Sequence, residues 1–363
     1  MSSDSKIIIV DSIGSHSGMH YYDVAFKHAL ESKGFVVEVV SNFYSRENHI
    51  QRKLPNFYRS NRAISGLYFL VAAMDIARIF KRNPNSYFIY YSFGNIIADC
   101  TVLLFSKVHK KIIFDIHEVL PLDHWKPNAA RRIVRLYKMF APVIIVHSKR
   151  NTEIFCSYGY KNQIILFDHL RYDIDREYEY DQVSEDVRRL FPSERITLLF
   201  FGHIRLSKGI DILLAAARRL PGIYSVIVAG NDSDGILNRI QVPGNVVVIN
   251  RVISDNDLRY LFSHCDCVVL PYRQVSQSGV LEMALHFEKV AIVSDLPIFR
   301  EMIDKRPELG FVYGHTTDDL VDFLTKFVSV ENGKVKMLGS YHSSTRMQVD
   351  IDELVSYILS HQT

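Results

Sequence analysis

Short apolar runs alternate with amphipathic stretches along most of this chain, and no other feature of the sequence constrains the fold as strongly. The alternation is typical of βαβ units, in which helices connect parallel strands. In the first half it predicts strands at 6–11, 36–40, 87–91, 111–115, 143–147 and 163–167. After a charged stretch it predicts six more, at 196–201, 224–229, 246–249, 267–270, 290–293 and 310–312. The predicted fold class is therefore α/β, with two doubly wound, Rossmann-like domains.

Helical stretches fill the intervals between these strands. The helices predicted in the first half are 20–32, 65–81, 95–107, 129–140 and 151–158. Those predicted in the second half are 208–220, 255–264, 279–287, 297–304, 318–328 and 351–360. We expect an N-terminal domain at 1–171, a linker at 172–195, a C-terminal domain at 196–345 and a terminal helical segment at 346–363. Ligands of such sheets bind outside the carboxyl ends of the strands, so the loops that follow the strands are the candidate sites.

Two properties of the sequence bear on the location of the protein. The longest apolar run, 64–74, is shorter than the roughly 18 residues that a membrane-spanning helix needs. The N-terminus is polar and carries no secretory signal. We therefore expect a cytoplasmic protein.

Positive charge is concentrated in the first half of the chain. Residues 1–170 hold 22 Lys and Arg against 13 Asp and Glu, whereas the remainder holds 21 against 27. The densest part, 51–85, interleaves apolar residues with the cations Arg52, Lys53, Arg59, Arg62, Arg78, Lys81 and Arg82, and four more follow at Arg131, Arg132, Arg135 and Lys138. Such a segment favours an anionic membrane surface, at about 1 kcal/mol for each cation. The alternative is a helix that packs on its own sheet with solvated cations. Nucleic acid is not a predicted partner. The sequence has neither a recognised nucleic-acid-binding motif nor an aromatic platform on which bases would stack.

The segment 198–211 carries the strongest signal for a ligand. A predicted strand ends at Phe201, Gly202 lets the backbone turn, and Arg205 and Lys208 come just before a helix. Two cations beside the free N–H groups of a helix N-terminus form a site for a diphosphate. The alternative interpretation is a loop with two solvated cations.

A second candidate follows the predicted strand 267–270. Ser276, Gln277, Ser278 and Gly279 supply small side chains, hydroxyl groups and open backbone amides at another helix start. That combination suits a phosphate oxygen. Plain N-capping of the helix by one of the serines is the alternative.

The first half has its own glycine loop and a histidine at a strand end. Gly14 and Gly18 lie between the first predicted strand and helix, without the spacing of a dinucleotide fingerprint. His117 follows the strand 111–115, and the side chain is therefore predicted to point toward the ligand side of the sheet. A histidine of the core is the alternative interpretation.

Together these segments resemble the retaining glycosyltransferases of family 4, which have the two-domain GT-B fold. Segment 17–30 with Gly34 resembles the acceptor-side opening, 114–121 the strand-end histidine segment, and 145–148 the helix start at the inner face. Segment 201–209 resembles the diphosphate loop, and 276–281 the variant phosphate loop of bacterial polysaccharide transferases. The five segments occur in the family's order and span nearly the whole chain.

The resemblance implies an activity and an architecture. The enzyme would move a hexosyl group, with retention, from a nucleoside-diphosphate sugar to a glycan or lipid-diphosphate-linked acceptor, in the synthesis of a cell-surface polysaccharide. The nucleotide sugar is a co-substrate, and neither a cofactor nor a metal ion is implied. The two domains would face each other across a cleft, with the terminal helix crossing back to the first. A lipid-linked acceptor would suit peripheral attachment at the inner face of the cytoplasmic membrane.

The resemblance also implies roles for single residues. Arg205 and Lys208 would neutralise the leaving diphosphate, and His117 would contact the transferred sugar or the acceptor hydroxyl. Further donor-binding residues would be Gly14, Gly18, Gly202, Asn250, Arg251, Val252, Ser276, Gln277, Ser278, Gly279, Val280 and Glu282. Within this set, residues 250–252 would lie near the nucleobase. His20 would lie on the acceptor side together with His117.

The chain departs from the family at the second phosphate loop. Many members carry two glutamates eight positions apart there, and neither 275 with 283 nor 276 with 284 supplies that pair. Glu282 is therefore the remaining candidate for the ribose. The departure motivates an alternative function, a catalytically degenerate GT-B protein that binds nucleotide or glycan without turnover. A GT-B epimerase or phosphorylase is a further enzymatic alternative.

Overall fold

The computed structural model describes most of the chain in two compact units. The described residues are 6–14, 18–44, 50–55, 62–93, 111–117, 127–170, 172, 174–191, 195–220, 222–275, 277–307, 310–331, 334–337 and 351–361. The first unit comprises Met1–Asp173 and Gln348–Thr363, and the second comprises Ile174–Met347. The predicted helix 95–107 and the predicted donor residue Ser276 lie outside the described residues.

The first unit is built on a parallel sheet of seven strands, in the order β3-β2-β1-β4-β5-β6-β7. Its strands are β1 (Lys6–Asp11), β2 (Val36–Ser41), β3 (Gln51–Arg52), β4 (Tyr87–Ser92), β5 (Ile112–Ile116), β6 (Val143–Val146) and β7 (Gln163–Leu166). Every pairing in this sheet is parallel. The apolar runs therefore become buried central strands, as expected of a sheet covered on both faces. Strand β3 is absent from the sequence prediction because its two residues carry no apolar pattern.

Helices cover this sheet with their apolar faces. They are α1 (Met19–Ser32), α2 (Arg62–Arg82), α3 (Pro127–Phe140) and α4 (Lys149–Ser157). Ile76 and Phe80 of α2 and Val134 and Tyr137 of α3 belong to one buried cluster with alternate residues of β1, β4, β5 and β6. Because alternate residues of a strand share one face, α2 and α3 pack on the same face of the sheet.

The second unit is a parallel sheet of six strands, in the order β10-β9-β8-β11-β12-β13. Its strands are β8 (Ile196–Phe201), β9 (Tyr224–Gly230), β10 (Val246–Asn250), β11 (Cys267–Leu270), β12 (Val290–Ser294) and β13 (Gly310–Tyr313). The helices are α5 (Glu185–Arg188), α6 (Ile210–Ala217), α7 (Asp255–His264), α8 (Gly279–His286), α9 (Pro297–Lys305) and α10 (Thr317–Lys326). A separate antiparallel hairpin, which the sequence does not predict, follows as β14 (Val328–Glu331) and β15 (Lys334–Met337).

The predicted linker and the last helix show which residues belong to each of the two units. The described part of the predicted linker packs on α7: the backbone N–H and the hydroxyl of Ser184 donate to Asp257, at 2.7 and 2.9 Å. The last helix, α11 (Asp352–Ser360), belongs to the first unit, where Lys33 forms a 2.5 Å ion pair with Asp352. The Tyr87 hydroxyl also donates to the carbonyl oxygen of His361. Both units are therefore α/β sheets with helices on their faces.

Both sheets reverse their strand order at one position. In the first unit the reversal lies between β1 and β4, and in the second between β8 and β11. At such a position the two loops that leave the carboxyl ends diverge to opposite faces, which opens a crevice for a ligand. In the described part of the chain, no helix has the length and apolar character needed to cross a bilayer.

Candidate functional site

The two predicted phosphate loops lie side by side where the second sheet reverses its order. Strands β8 and β11 are paired, so the loops that follow them begin next to each other. Gly202, directly after β8, has a φ of +107°, and a Cβ built on it would stand 3.7 Å from Val280 Cγ2. Val280 lies in the first turn of α8. The structure thus brings Gly202 and the start of α8 together, although the two are far apart in sequence.

The backbone after β8 is held against the end of β9. The Gly202 N–H donates to the Ala229 carbonyl oxygen at 2.9 Å, and the Ile204 N–H donates to that of Asn231 at 3.0 Å. A Cβ on Gly230 would stand only 1.7 Å from the Gly202 carbonyl oxygen. Gly230 is therefore required for this close approach, and the sequence analysis did not identify it.

Arg205 precedes the 3₁₀ turn Leu206–Lys208 and Lys208 is its last residue; both side chains are partly exposed. Arg205 Nε lies 3.6 Å from Asp234 Oδ2, on the loop after β9. Lys208 Nζ lies 4.0 Å from the ring centroid of Tyr272, on the loop after β11. The two predicted cations thus stand among the loops that leave three neighbouring strands.

A second glycine fixes the position of this turn. Gly209 has a φ of +69°, and a Cβ there would stand 1.7 Å from the Pro271 carbonyl oxygen. The predicted helix 208–220 begins at Ile210 because Gly209 adopts this left-handed conformation before it.

Arg273 joins the two loops and was not among the predicted residues. Its backbone N–H donates to the Ser207 carbonyl oxygen at 2.9 Å, and its guanidinium donates to the Leu206 carbonyl oxygen at 2.6 Å. The same guanidinium makes two 2.6 Å hydrogen bonds to the Asp211 carboxylate. Burial alone would raise the pKa of Asp211, but the Arg273 charge and hydrogen bonds lower it.

Ser278 is the N-cap of α8. Its hydroxyl accepts a 3.2 Å hydrogen bond from the Leu281 N–H, so the capping interpretation holds for this serine. The N–H groups of Gly279 and Val280 belong to the first turn, where a helix offers no internal partner. Gln277 is partly exposed beside them, whereas Glu282 is 2% exposed. These first-turn amides, with Arg205 and Lys208 on the loop after the neighbouring strand β8, form a surface that suits a diphosphate.

Asn250 is the last residue of β10, and Arg251 and Val252 follow it, beside the loop after β9. Asn250 Oδ1 accepts a 2.9 Å hydrogen bond from the Asp232 N–H. The Arg251 guanidinium pairs with Asp257 at 2.8 Å and with Asp186 at 2.9 Å, and Val252 is 80% exposed. The Arg251 side chain therefore holds α7 and α5, and its predicted role near a nucleobase would fall to its backbone.

The glycine loop of the first unit is anchored at both ends. The Ile13 and Gly14 N–H groups donate to Asp11, at 2.8 and 2.7 Å. Gly14 has a φ of +50°, and a Cβ there would stand 2.1 Å from Asn42 Oδ1. Gly18, with a φ of +72°, is the N-cap of α1, and residues 15–17 between them lie outside the described residues.

Asp23 forms a buried carboxyl pair with Asp11, which the sequence analysis did not identify. Both side chains are fully buried, as is the ring of Tyr91 nearby. Burial and the Asp11 charge raise the pKa of Asp23 well above its usual range. Burial raises the pKa of Asp11 as well, although two backbone N–H groups oppose that shift. Burial therefore favours the protonated form of Asp23.

The two predicted histidines of this unit have different surroundings. His20 is partly exposed in the first turn of α1, with its ring centroid 4.7 Å from that of Phe43. His117 has a side chain only 3% exposed and stacks on Phe93, with ring centroids 5.1 Å apart. The rings of Tyr22 and Tyr91 meet it edge-on, both at 5.0 Å.

His117 belongs to a buried polar cluster that the sequence analysis found only in part. His147 Nε2 lies 2.7 Å from Asp115 Oδ1, and His117 Nε2 lies 3.4 Å from Asp115 Oδ2. The Tyr22 hydroxyl donates to Asp115 Oδ2 at 3.0 Å, and the His169 ring lies 5.7 Å from that of His147. These five residues are called the histidine cluster below. His147 directly follows β6, so its strand-end position was the available signal.

One family model matches most of the second unit. Residues 195–329 match the family model described as glycosyl transferases group 1. No significant match was found among curated protein sequences.

Solved structures with the same fold cover nearly the whole chain. The HepE protein of Anabaena, solved with UDP and glucose, is 15% identical with a TM-score of 0.67, and 89% of each chain is covered. Sucrose-phosphate synthase of Thermosynechococcus elongatus is 14% identical with a TM-score of 0.65, again with 89% of each chain covered. WaaG, a glycosyltransferase involved in lipopolysaccharide biosynthesis, is 13% identical with a TM-score of 0.59, covering 88% of this chain and 90% of WaaG. The predicted GT-B fold is confirmed by these similarities.

Proposed function

We propose that this chain, a glycosyltransferase of the GT-B fold, transfers a hexosyl group from a nucleoside-diphosphate sugar held at the carboxyl edge of its second sheet. The observation that carries the proposal is the junction of two loops at the strand-order reversal. Gly202, Arg205 and Lys208 come from the loop after β8, and the amides of Gly279 and Val280 come from the start of α8.

This junction matches the charge that develops during glycosyl transfer. As the bond to the sugar breaks, negative charge accumulates on the departing diphosphate, while the sugar acquires oxocarbenium character. Cations and amides that are already in place stabilise that charge without reorganising. Arg205 and Lys208 would contact the diphosphate, and the helix start would bind a phosphate oxygen.

UDP is the nucleotide we propose. The HepE protein was solved with UDP and glucose, and it has the same fold over 89% of this chain. Residues 230–232 and 250–252 lie side by side at the carboxyl ends of the paired strands β9 and β10, where the base and ribose would bind. Glu282 is the carboxylate of α8 nearest in sequence to the phosphate loop, and it stays a candidate for the ribose.

We propose that the reaction proceeds with retention. In such a reaction the leaving phosphate oxygen accepts the proton of the attacking hydroxyl on the same face of the sugar, so no protein base is needed. The absence of the family's glutamate pair is then compatible with turnover, and a degenerate, binding-only protein is not required to explain it. The role proposed for His117 is contact with the transferred sugar or the acceptor hydroxyl.

The acceptor we propose is lipid-linked and presented at an anionic membrane, as in cell-surface polysaccharide synthesis. The outward face of α2 carries an exposed apolar stripe at helical spacing, Leu67, Leu70 and Met74, 61%, 56% and 46% exposed. The exposed cations Arg78 and Lys81 continue this stripe. An exposed helix face with apolar and cationic residues suits the headgroup region of a bilayer.

Helix α3 extends the same surface. It packs on the same face of the sheet as α2, and its outward side exposes Arg131, Arg132, Arg135, Lys138 and Met139. The inner face of α2, with Ile76 and Phe80, does pack on the sheet, as the alternative interpretation expects. That packing leaves the exposed apolar stripe unexplained, and membrane contact accounts for it.

Nucleotide binding and product stereochemistry test the proposal. The melting temperature of the full chain is measured with UDP, GDP, dTDP and ADP, and the matching nucleotide sugars are then supplied with a glycan or lipid-diphosphate acceptor. We expect UDP to stabilise most, and NMR of the product to show the anomeric configuration of the donor. An inverted product would refute retention. Consumption of no nucleotide sugar, together with UDP binding, would favour the binding-only alternative.

A further inference from the structure

Arg251 connects two parts of the second unit that are distant in sequence. Its backbone follows β10 at the carboxyl edge of the sheet, and its N–H donates to the Gly230 carbonyl oxygen at 3.0 Å. Its guanidinium contacts α5, in the described part of the predicted linker, and α7. Residues 250–252 are the proposed neighbours of the nucleobase, so the contacts that fix Arg251 also fix this part of the candidate site.

Two carboxylates hold the guanidinium of Arg251. Its Nη1 donates to Asp257 Oδ2 at 2.8 Å, and its Nη2 donates to both carboxylate oxygens of Asp186, at 2.9 and 3.2 Å. Because the guanidinium is planar, contacts to separate acceptors at two of its nitrogens restrict its rotation. The Arg251 side chain is 33% exposed, so solvent screens these contacts only in part. The side chain is therefore held in one orientation.

The linker in turn immobilises Asp257. The Asp257 carboxylate is fully buried and accepts hydrogen bonds from the N–H and the hydroxyl of Ser184, at 2.7 and 2.9 Å. Burial would raise the pKa of Asp257, but the Ser184 N–H and the Arg251 guanidinium lower it. Hydrogen bonds to the charged form and a neighbouring cation both favour ionisation. Asp257 thus presents a fixed negative charge to Arg251.

The loop that begins at Arg251 has little side-chain packing of its own. Val252, the next residue, is 80% exposed, and Ser254, the N-cap of α7, is exposed as well. A backbone with few packed side chains opens readily unless hydrogen bonds or charges restrain it. Arg251 supplies both restraints, through its N–H and its guanidinium, and so determines the position of this loop.

Other contacts hold the loop proposed to bind the diphosphate. The Gly202 N–H donates to the Ala229 carbonyl oxygen at 2.9 Å, and the Arg273 guanidinium donates to the Leu206 carbonyl oxygen at 2.6 Å. Arg251 takes part in neither contact. A displacement of Arg251 should therefore affect the base side of the site and leave the diphosphate side in place.

We propose that Asp186 and Asp257 are positioning residues that hold Arg251, so that the backbone of 251–252 stays in place for the base of the bound nucleotide. The inference rests on the proposed function for the identity of that nucleotide. Asp186 belongs to the four-residue helix α5, 65 positions before Arg251, and it acts through that guanidinium. A residue of the linker thus determines part of the affinity for the nucleotide.

The competing interpretation is that these ion pairs only attach the linker to α7. Other contacts also make that attachment: Asn256 Nδ2 donates to Gln182 Oε1 at 2.9 Å, and the Glu179 N–H donates to Asn256 Oδ1 at 3.1 Å. Removal of the Asp186 carboxylate leaves these contacts in place while it takes one of the two carboxylates from Arg251. Substitution of Asp186 therefore distinguishes positioning from attachment.

Calorimetric titration of the full chain with UDP and with sodium pyrophosphate tests the inference, because pyrophosphate occupies only the diphosphate part of the site. We expect Asp186→Ala to raise the Kd for UDP about threefold to tenfold and to leave the Kd for pyrophosphate unchanged. Asp186→Glu keeps a carboxylate within reach of Arg251 and should stay within about twofold of the wild type. The neighbouring Glu185 pairs with Arg189 instead, so Glu185→Ala is the matched control and should change neither Kd.

A double variant shows whether the effect passes through Arg251. Arg251→Gln alone should raise the Kd for UDP, and the addition of Asp186→Ala should raise it no further. Asp257→Asn should also raise the Kd for UDP alone. If Asp257→Asn does not fold, the Asp186 variants still decide the outcome, because Asp186 is partly exposed and its loss buries no unpaired charge.

Hydrogen exchange without nucleotide separates this inference from the proposed function. In Asp186→Ala, we expect the peptide that carries the amides of 251–252 to exchange about threefold to tenfold faster than in the wild type. The peptide 112–117, which carries Asp115 and His117 of the histidine cluster in the first unit, should exchange as in the wild type. If the wild type binds neither UDP nor pyrophosphate, the proposed function fails, and faster exchange confined to 251–252 still supports the positioning role.

Three results would overturn the inference. The first is unchanged exchange at 251–252 in Asp186→Ala, whatever nucleotide the protein binds. The second is an unchanged Kd for UDP in that variant, or an equal loss of affinity for UDP and pyrophosphate. The third is an effect of Asp186→Ala that remains at full size in the Arg251→Gln background, because Asp186 would then act by another route.

Discussion

Arg273 makes two 2.6 Å hydrogen bonds to the carboxylate of Asp211, and these bonds hold the loop after β11 against the start of α6. The same guanidinium donates to the Leu206 carbonyl oxygen, within the turn that carries Lys208. The turn proposed to bind the diphosphate is thus fixed by a residue from a different loop. Preorganised cations of this kind are more effective than mobile ones, because their placement costs nothing during the reaction.

Substitution of Arg273 should therefore weaken UDP binding. We expect Arg273→Ala to raise the Kd for UDP about tenfold, roughly the 1.4 kcal/mol that a partly exposed charged contact can contribute. Arg273→Lys keeps the charge but cannot make both hydrogen bonds to the Asp211 carboxylate in the same geometry, so its Kd should be intermediate. Calorimetric titration with UDP measures both. An unchanged Kd for Arg273→Ala would show that the turn holds its position without this residue.

The two cations of the site should act on turnover. Arg205→Ala and Lys208→Ala should each lower kcat about 10²–10³-fold, the usual loss when one donor to a developing charge is removed. Release of UDP from the preferred donor measures the rate. Arg218→Ala and Lys326→Ala, at the C-terminal ends of their helices, serve as controls and should remain active. Wild-type rates for both Arg205→Ala and Lys208→Ala would remove these residues from the mechanism.

Glycine at position 209 should be essential for stability. Gly209→Ala combines a left-handed φ of +69° with a Cβ only 1.7 Å from the Pro271 carbonyl oxygen. We expect a loss of about 3 kcal/mol or more in the free energy of unfolding. Gly235 has a similar φ of +65° but only an ordinary 3.6 Å contact, so Gly235→Ala should cost about 1 kcal/mol. Chemical denaturation compares the two, and equal losses would contradict the steric argument.

The carboxyl pair of the first unit should make stability depend on pH. Because the pKa of folded Asp23 is raised, the stabilisation is complete below the unfolded pKa near 4 and is lost as the pH rises toward the folded pKa. Asp23→Asn replaces the protonated carboxyl with a neutral isostere that cannot ionise. We expect equal stability near pH 4 and a variant about 1–3 kcal/mol more stable than the wild type at pH 8.

Denaturation curves between pH 4 and 8 measure this difference. Glu153→Gln, an exposed change on α4 of the same unit, should leave the wild-type pH dependence intact. If Asp23→Asn is less stable than the wild type at pH 8, the pair does not retain its proton there.

Membrane attachment should need both the apolar and the cationic side chains on the outward faces of α2 and α3. With anionic vesicles at low salt, the wild type should pellet, and the triple variant Leu67→Ser, Leu70→Ser, Met74→Ser should remain in the supernatant. Replacement of Arg131, Arg132 and Arg135 by Gln should weaken binding roughly 100-fold, at about 1 kcal/mol per cation. Val247→Ser, at an exposed valine of the second unit, is the control. A wild type that pellets equally at high salt, or not at all, contradicts the electrostatic part.

The sheets were predictable from sequence because buried parallel strands are continuous apolar runs with clear ends. Strand 196–201 agrees with β8 at both ends, and 267–270 agrees with β11. Prediction was poorer where no glycine or proline marks the end of an element. The predicted helix 318–328 continues through Phe327, whereas α10 ends at Lys326 and β14 begins at Val328. Two-residue β3 has no pattern of its own and exists only through its pairing with β2.

The candidate site was predictable only where its residues share a short segment. Arg205, Lys208 and Gly202 stand within seven positions, so spacing alone could group them. Arg273 acts on Asp211, 62 positions away, and nothing local distinguishes it from any exposed arginine. Asp23 looks like a polar position of an amphipathic helix, and only the fold buries it against Asp11. Residues that act through long-range contacts thus need the structure.

Because α11 belongs to the first unit, the second unit is an insertion within the first. Residues 1–173 and 348–363 form the first unit, and the inserted unit is 174–347. A fragment that stops after residue 173 lacks the helix that Lys33 and Tyr87 hold, so it is an incomplete fold. A protein without 174–347 would, by contrast, keep both segments of the first unit, 1–173 and 348–363.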